Sequence, residues 1–257
     1  MENLCRLCKS ADWSDAEFRG MLEKVVPPPL CDVKHRKHWE WAMGMLALQR
    51  AGKLKNDIVA LGVGAGREWP VFWLTNHIRY VVATDLYTIS RWNEADSSML
   101  TTPEKLAPYP FNKRRLGVMF MDGTQLHFED ETFDIVFSYS SIEHFGSKEA
   151  AARAMQEMER VLKPSGILSL CTEAYIYGDI ERSRKKGKSI TSEIFTREEV
   201  AEYLIKSNGL QLCNEIDYSQ KNEPVVHLPE EALKTPHIVM ESDGIRFGSL
   251  HLVMEKH

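Results

Sequence analysis

The stretch IVALGVGAGREWPVF, Ile58 to Phe72, decides the fold of this chain. It begins as an apolar run suited to a buried strand, breaks at Gly62, Gly64 and Gly66, and resumes in a pattern that reads as helix. A strand, a glycine turn and a helix in that order are how a doubly wound sheet brings bare backbone to a ligand beyond the carboxyl ends of its strands. The glycine spacing also excludes ligands. A dinucleotide turn asks for G-x-G-x-x-G, yet counting from Gly62 the last position is Arg67, and counting from Gly64 it is Trp69. No Gly-Lys-Ser/Thr phosphate loop is present. A nicotinamide-dependent oxidoreductase is therefore the weaker alternative.

Working outward, short apolar runs recur at 57–63, 79–84, 117–121, 133–138 and 166–171, separated by polar or helix-patterned segments. Nearly continuous hydrophobic strands alternating with helices predict a mostly parallel sheet covered on both faces. A leading helix is expected from Trp39, Met43 and Leu46 at helical spacing, ending at Gly52. Ser147 opens an amphipathic helix with Ala151, Met155, Met158 and Leu162 on one face, stopped by Pro164. Thr196 and Glu199 form a capping box before VAEYLI. Two further strands are expected near 210–217 and 248–254, with Asp243-Gly244 as a turn.

Carboxylates mark the tips of the expected strands. Asp85 ends YVVATD, 21 residues past Gly64, where an acid can accept hydrogen bonds from both hydroxyls of a ribose. Asp122 follows the third strand in GVMFMDG, where it can accept from an exocyclic adenine amine. Aspartate is common in turns, so neither residue alone is a signal; their order at successive strand ends is.

With FDIVFSYSSIEHF and RVLKPSGILSL further on, residues 56–172 resemble the S-adenosylmethionine-dependent methyltransferases with a Rossmann-like, seven-stranded sheet, in particular a branch with EH and LKPGG-type motifs. The resemblance implies an α/β doubly wound fold, helices on both faces and an antiparallel last strand. It divides the chain into an N-terminal helical cap or lid, residues 1–55, and a cofactor-binding domain, residues 56–257, with acceptor-side insertions at 87–116 and 173–247. It implies S-adenosylmethionine as cofactor. Gly64, Ala65 and Gly66 would stand beside its methionine part, with Gly62 in the same loop, Asp85 on the ribose and Leu86 beside the adenine. Asp122 and Gly123 would meet the adenine edge, and Ser138 and Tyr139 would end the fourth strand. The resemblance departs at Gly62, where the family carries an acid, and at Glu68, where it carries a glycine. Glu68 either replaces the missing partner of the cofactor's ammonium or decorates a helix start.

Methyl transfer to such an acceptor is an in-line displacement from a sulfonium, so catalysis rests on positioning. A hydroxyl acceptor also needs a base, and His144 of the EH pair is the candidate; orienting the loop is its bland reading. The expected activity is transfer to a small molecule or saccharide at oxygen, with a non-catalytic S-adenosylmethionine-binding protein as the other alternative. Arg36, Trp39, Glu40 and Trp41 sit on the expected lid. RSRKKGK, Arg182 to Lys188, reads as a solvated loop that could meet an anionic substrate.

The composition bounds these readings. The 257 residues are 43% hydrophobic, enough for one core, and a net charge of -5 with mixed signs argues against nucleic acid as a partner. No apolar run approaches the roughly 20 residues of a membrane span, and the N-terminus lacks a signal-peptide pattern, so a cytoplasmic protein is expected. Cys5 and Cys8 form half of a zinc motif, with Cys31 and His35 as conceivable further ligands. No second C-x-x-C exists, and reduced thiols without metal are expected.

Overall fold

The structure is a computed structural model that describes residues 3–87, 97–185, 187, 192–220, 222–228 and 236–257. Parts of the 87–116 and 173–247 insertions, and Lys186 and Lys188 of the RSRKKGK segment, lie outside the described residues. Among the described residues ten strands join in one sheet. They are β1 (Arg6–Leu7), β2 (Val59–Val63), β3 (Tyr80–Asp85), β4 (Leu116–Phe120), β5 (Phe133–Tyr139), β6 (Leu162–Tyr177), β7 (Gln211–Leu212), β8 (Val225–His227), β9 (Val239–Ser242) and β10 (Ile245–Glu255). The order β4-β3-β2-β5-β6 is parallel throughout, and β10 runs antiparallel to β6. With β7 these strands make the seven expected; β1, β8 and β9 are additions.

The helices that frame the sheet among the described residues include α1 (Ala16–Val25), α2 (Arg36–Arg50), α3 (Trp69–Leu74), α4 (Lys148–Val161), α5 (Ile180–Lys185) and α6 (Arg197–Glu199), which continues as a π-helical turn, Val200–Ile205. Strand side chains alternate between two cores. Ala60, Val81, Ile135 and Phe137 face α1, α2 and α3, whereas Leu61, Val82 and Val136 face α4 and the π turn. Ser147 caps α4 by accepting from the Ala150 amide, and Thr196 and Glu199 form the predicted capping box.

Three boundaries differ from the sequence reading, each because of pairing. The strand expected at 166–171 runs from Leu162 to Tyr177: Leu162, expected on the helix face, pairs with Phe133 instead, and β10 provides an antiparallel partner from Ile167 onward. Near 210–217 only Gln211–Leu212 forms a strand, against Met254 and Glu255 at the end of β10, while Asp217 makes an isolated bridge to Arg6. The same edge of β10 is shared by β1 and β9, which leaves β7 little of it. The residues before Asp243 form β9, and Asp243 and Gly244, both with positive φ (54° and 76°), close a two-residue hairpin into β10.

Beneath the carboxyl edge lies a buried ionic network. Arg36 Nη1 donates to Glu40 Oε1 at 2.9 Å and its Nη2 meets Glu173 Oε1 at 2.9 Å, while Ser140 donates to Glu40 at 2.8 Å. Burial alone would raise the Glu40 carboxyl, but Lys37 and Arg36, with Ser249 and Ser140, outweigh it and hold it at about 2. That lies below its ordinary 4.5, so the stability Glu40 contributes is full above 4.5 and is lost as pH falls toward 2. Wild type is therefore expected to lose on the order of 2–3 kcal/mol more than Glu40→Gln over that window. Urea unfolding at several pH values measures the difference. A gap between the two proteins that stays constant with pH would refute it.

Candidate active site

The strand order reverses direction between β2 and β5, which places a crevice at the carboxyl edge of the sheet. The tips that border it carry the residues singled out from the sequence. After β2, Gly64 and Gly66 turn with φ of 61° and 44°, conformations that side-chain-bearing residues rarely adopt. At the end of β3, Asp85 accepts from the Gly66 amide at 2.8 Å and from its neighbour Leu86 at 2.6 Å. Burial raises its carboxyl, and those two amides offset this only in part. After β4, the exposed Asp122 accepts from the amide and hydroxyl of Thr124, both at 2.8 Å. Gly123 lies against Phe145 and Val63. Topology thus aligns Asp122, Asp85, the glycine turn and the end of β5 along one edge.

At that end the two sequence candidates part. Ser138 is buried, and among the described residues its hydroxyl finds no hydrogen-bond partner. The Tyr139 ring turns into the core, its hydroxyl 3.1 Å from Ser169, so what Tyr139 offers outside is its carbonyl, which accepts from Lys37 at 2.8 Å. Glu68 is also committed. Its carboxylate meets Lys37 Nζ at 2.6 Å and accepts from the Trp41 indole, tying α2 to the start of α3. An acid would not fit at Gly62, because a Cβ there would stand 2.7 Å from the Phe137 ring and 2.9 Å from Ala65. The departure read at Gly62 is thus a packing requirement of the β2–β5 contact.

Residues absent from the sequence reading complete the edge. Tyr87 donates to the Gly66 carbonyl at 3.1 Å, and Ser141 donates to the Gly64 carbonyl at 2.6 Å. Lys37 lay one position from a residue assigned to the lid. Glu193 carried no local signal at all, because it reaches the site across 49 positions of chain.

Beyond β5 the chain makes a short turn, Ile142–His144, that carries the EH pair. Glu143 is buried, accepts from the Thr172 hydroxyl at 3.0 Å and from the Glu173 amide at 3.2 Å, and burial raises its carboxyl to about 6. His144 Nδ1 stands 3.0 Å from Glu193 Oε2. Both line a cavity of about 350 Å³ with Glu143, Gly146, Ser147, Lys148, Glu149 and Ser192. Cys5, Cys8 and Cys31 are buried thiols, and burial raises Cys5 and Cys8. Among the described residues no helix is long and apolar enough to cross a membrane.

Residues 61–170 match the family model described as a methyltransferase domain, so this part of the chain is a methyltransferase domain. Its class draws the methyl group from S-adenosylmethionine, and the edge fits that cofactor: glycine backbone at the switch point, an acid on β3 and another after β4. The mouse protein named "Probable tRNA methyltransferase 9B" is 38% identical over 72 residues, which is 28% of this chain and 15% of that protein. A methyltransferase-named protein of Encephalitozoon cuniculi is 37% identical over 70 residues, 27% of this chain and 31% of its own. The chain thus matches less than a third of either relative's length. Two solved structures share the fold. A SAM-dependent methyltransferase from Aquifex aeolicus superposes with a TM-score of 0.50 at 16% identity, over 92% of this chain and 98% of that one. A chain from the complex of the Haloferax volcanii Trm112 methyltransferase activator with a proposed methyltransferase gives 0.53 at 18% identity, over 97% and 99%.

Proposed function

We propose that the protein transfers a methyl group from S-adenosylmethionine to a hydroxyl of a small-molecule or saccharide acceptor. The observation that carries this reading is the pairing of His144 with Glu193 on the wall of a cavity beyond the end of β5. A carboxylate on Nδ1 orients an imidazole and favours its taking up a proton. The same arrangement would be idle beside an acceptor that is already nucleophilic. When bound, the cofactor supplies an electrophilic methyl group on sulfur. This chain's residues do the rest: Gly64, Ala65 and Gly66 leave room for the methionine part, Asp85 accepts from the ribose, Leu86 flanks the adenine, and Asp122 and Gly123 meet its edge. Ser138 offers a buried hydroxyl beside them. Residues 1–55 cover the crevice through α2, with Lys37 and Glu68 as the clasp. The insertion bearing Glu193 shapes the acceptor end.

The net charge of -5 and the acids around the cavity support a small acceptor over nucleic acid; the tRNA in the relatives' names belongs to those proteins. The buried free thiols suit a reducing, cytoplasmic setting. The test is incubation with methyl-labelled S-adenosylmethionine and either pooled hydroxylated metabolites and sugars or total tRNA. A labelled methyl ether in the small-molecule fraction supports the reading. Label confined to RNA overturns the acceptor class, and no label in either makes the protein a binder without turnover.

Asp85 offers a quantitative check on the cofactor side. Asp85→Asn is expected to weaken S-adenosylmethionine binding by roughly 1.5–3 kcal/mol, the worth of a hydrogen bond to a charged acceptor. Calorimetric titration reads it, and unchanged affinity in a folded variant would remove Asp85 from the ribose.

A further inference from the structure

We propose that Lys148 is a positioning residue for the acceptor side, clamping the backbone of residues 193–194 so that the Glu193 carboxylate stays on His144. The inference rests on the reading of His144 and Glu193 given above. Lys148 is the first residue of α4, and its Nζ donates to the Glu193 carbonyl at 2.6 Å and to the Ile194 carbonyl at 3.0 Å. It also stands 3.4 Å from the centroid of the Phe195 ring and 3.9 Å from Glu199. Two carbonyls, a ring face and a carboxylate occupy an ammonium that has three protons to give.

The clamp has a fixed base. Phe195 is stitched to β6, its amide donating to Glu173 at 3.0 Å and its carbonyl accepting from Tyr175 at 2.8 Å. Arg184 holds the other side, donating to the Ile194 carbonyl at 2.9 Å and to both Glu199 oxygens at 2.8 Å. Glu193 lies just beyond this stitched portion, and Lys148 is the contact that carries the hold back to its backbone. A surface lysine keeps its ammonium in water, whereas this side chain is 15% exposed. Burial lowers its ammonium to about 8, against the opposing pull of Glu199, with Arg184, Glu143 and Glu193 also facing it. A cation so placed is spent on the backbone and is withheld from an anionic acceptor.

The two possible roles predict opposite signs. Removing a nearby cation favours protonated His144 by simple electrostatics, whereas releasing Glu193 favours the neutral ring. Diethyl pyrocarbonate, which acylates only the neutral imidazole, is the probe, with the rate at His144 read by peptide mass spectrometry at pH 6. Glu193→Gln is expected to raise that rate about threefold or more, because a paired carboxylate is gone. Lys148→Met is expected to raise it as well, Lys148→Arg to leave it near wild type, and Lys148→Met in the Glu193→Gln background to add nothing. Lys148→Gln, which still reaches one carbonyl, is expected to fall between and serves if methionine impairs folding in a thermal melt. A Lys148→Met or Lys148→Gln rate equal to or below wild type, with Glu193→Gln fast, overturns the role of Lys148. A Glu193→Gln rate equal to wild type overturns the dyad and the clamp with it. Neither arm uses methyl transfer, so a His144 found dispensable for turnover would refute the base and leave the positioning result standing.

Discussion

Gly64→Val is expected to abolish S-adenosylmethionine binding while the sheet remains folded. The position is closed twice. Its φ of 61° lies where a β-branched residue is a pronounced outlier. Even the first carbon of a side chain would stand 2.6 Å from Ser141 Cβ and 3.0 Å from its hydroxyl. Relief requires either an extended backbone at 64 or displacement of Ser141, whose hydroxyl donates to the carbonyl of that same glycine. Both routes move the loop between β2 and α3 away from Asp85, which holds the Gly66 amide. The strands below are paired through Val63 and should persist. Calorimetry with the cofactor, alongside far-ultraviolet circular dichroism, checks the two halves of the expectation. A valine variant that binds with wild-type affinity would show that this loop is not the cradle.

His144→Ala is expected to lower the single-turnover rate of methyl transfer by ~10²–10⁴-fold, the usual contribution of a general base, with cofactor affinity nearly kept. The loss is expected at every pH at which wild type turns over, because the group that takes the acceptor's proton is gone. Glu193→Gln should retain part of the rate, since the ring stays in place and loses only the carboxylate at Nδ1. The measurement is rate against pH for all three proteins with the acceptor found by labelling. An alanine variant that transfers at the wild-type rate across the range would leave the EH turn a structural element and reduce catalysis to proximity.

Much of the sheet's carboxyl edge, where the candidate cofactor residues stand, was legible in the chain because its parts are local. A glycine turn at 62–66 follows an apolar run, and Asp85 and Asp122 end theirs; each strand tip lies within a few residues of the pattern that announces it. Parallel pairing then brings those tips side by side without further instruction. The cavity beyond β5, the proposed acceptor end, was not legible in this way. Glu193 meets His144 across 49 positions, and Lys148 holds Glu193 across 45. Neither spacing belongs to any helix or strand period, so no periodicity could register it.

Side-chain direction divides along the same line. Glu68 and Tyr139 stand where the sequence placed them, at a helix start and a strand end. Their partners come from other elements: Lys37 and Trp41 of α2 take the Glu68 carboxylate, and the Tyr139 ring packs beneath that helix with its hydroxyl on Ser169 of β6. The sequence alone determined the alternation of strand and helix, the glycine turn and the order of acids along one edge, because hydrophobic periodicity and backbone stereochemistry act over short spans of chain. Tertiary structure alone decided which charges are buried together, what each strand-tip residue faces and which carboxylate stands on His144. Those depend on contacts between segments that only the closed sheet and its packed helices bring within a few ångströms.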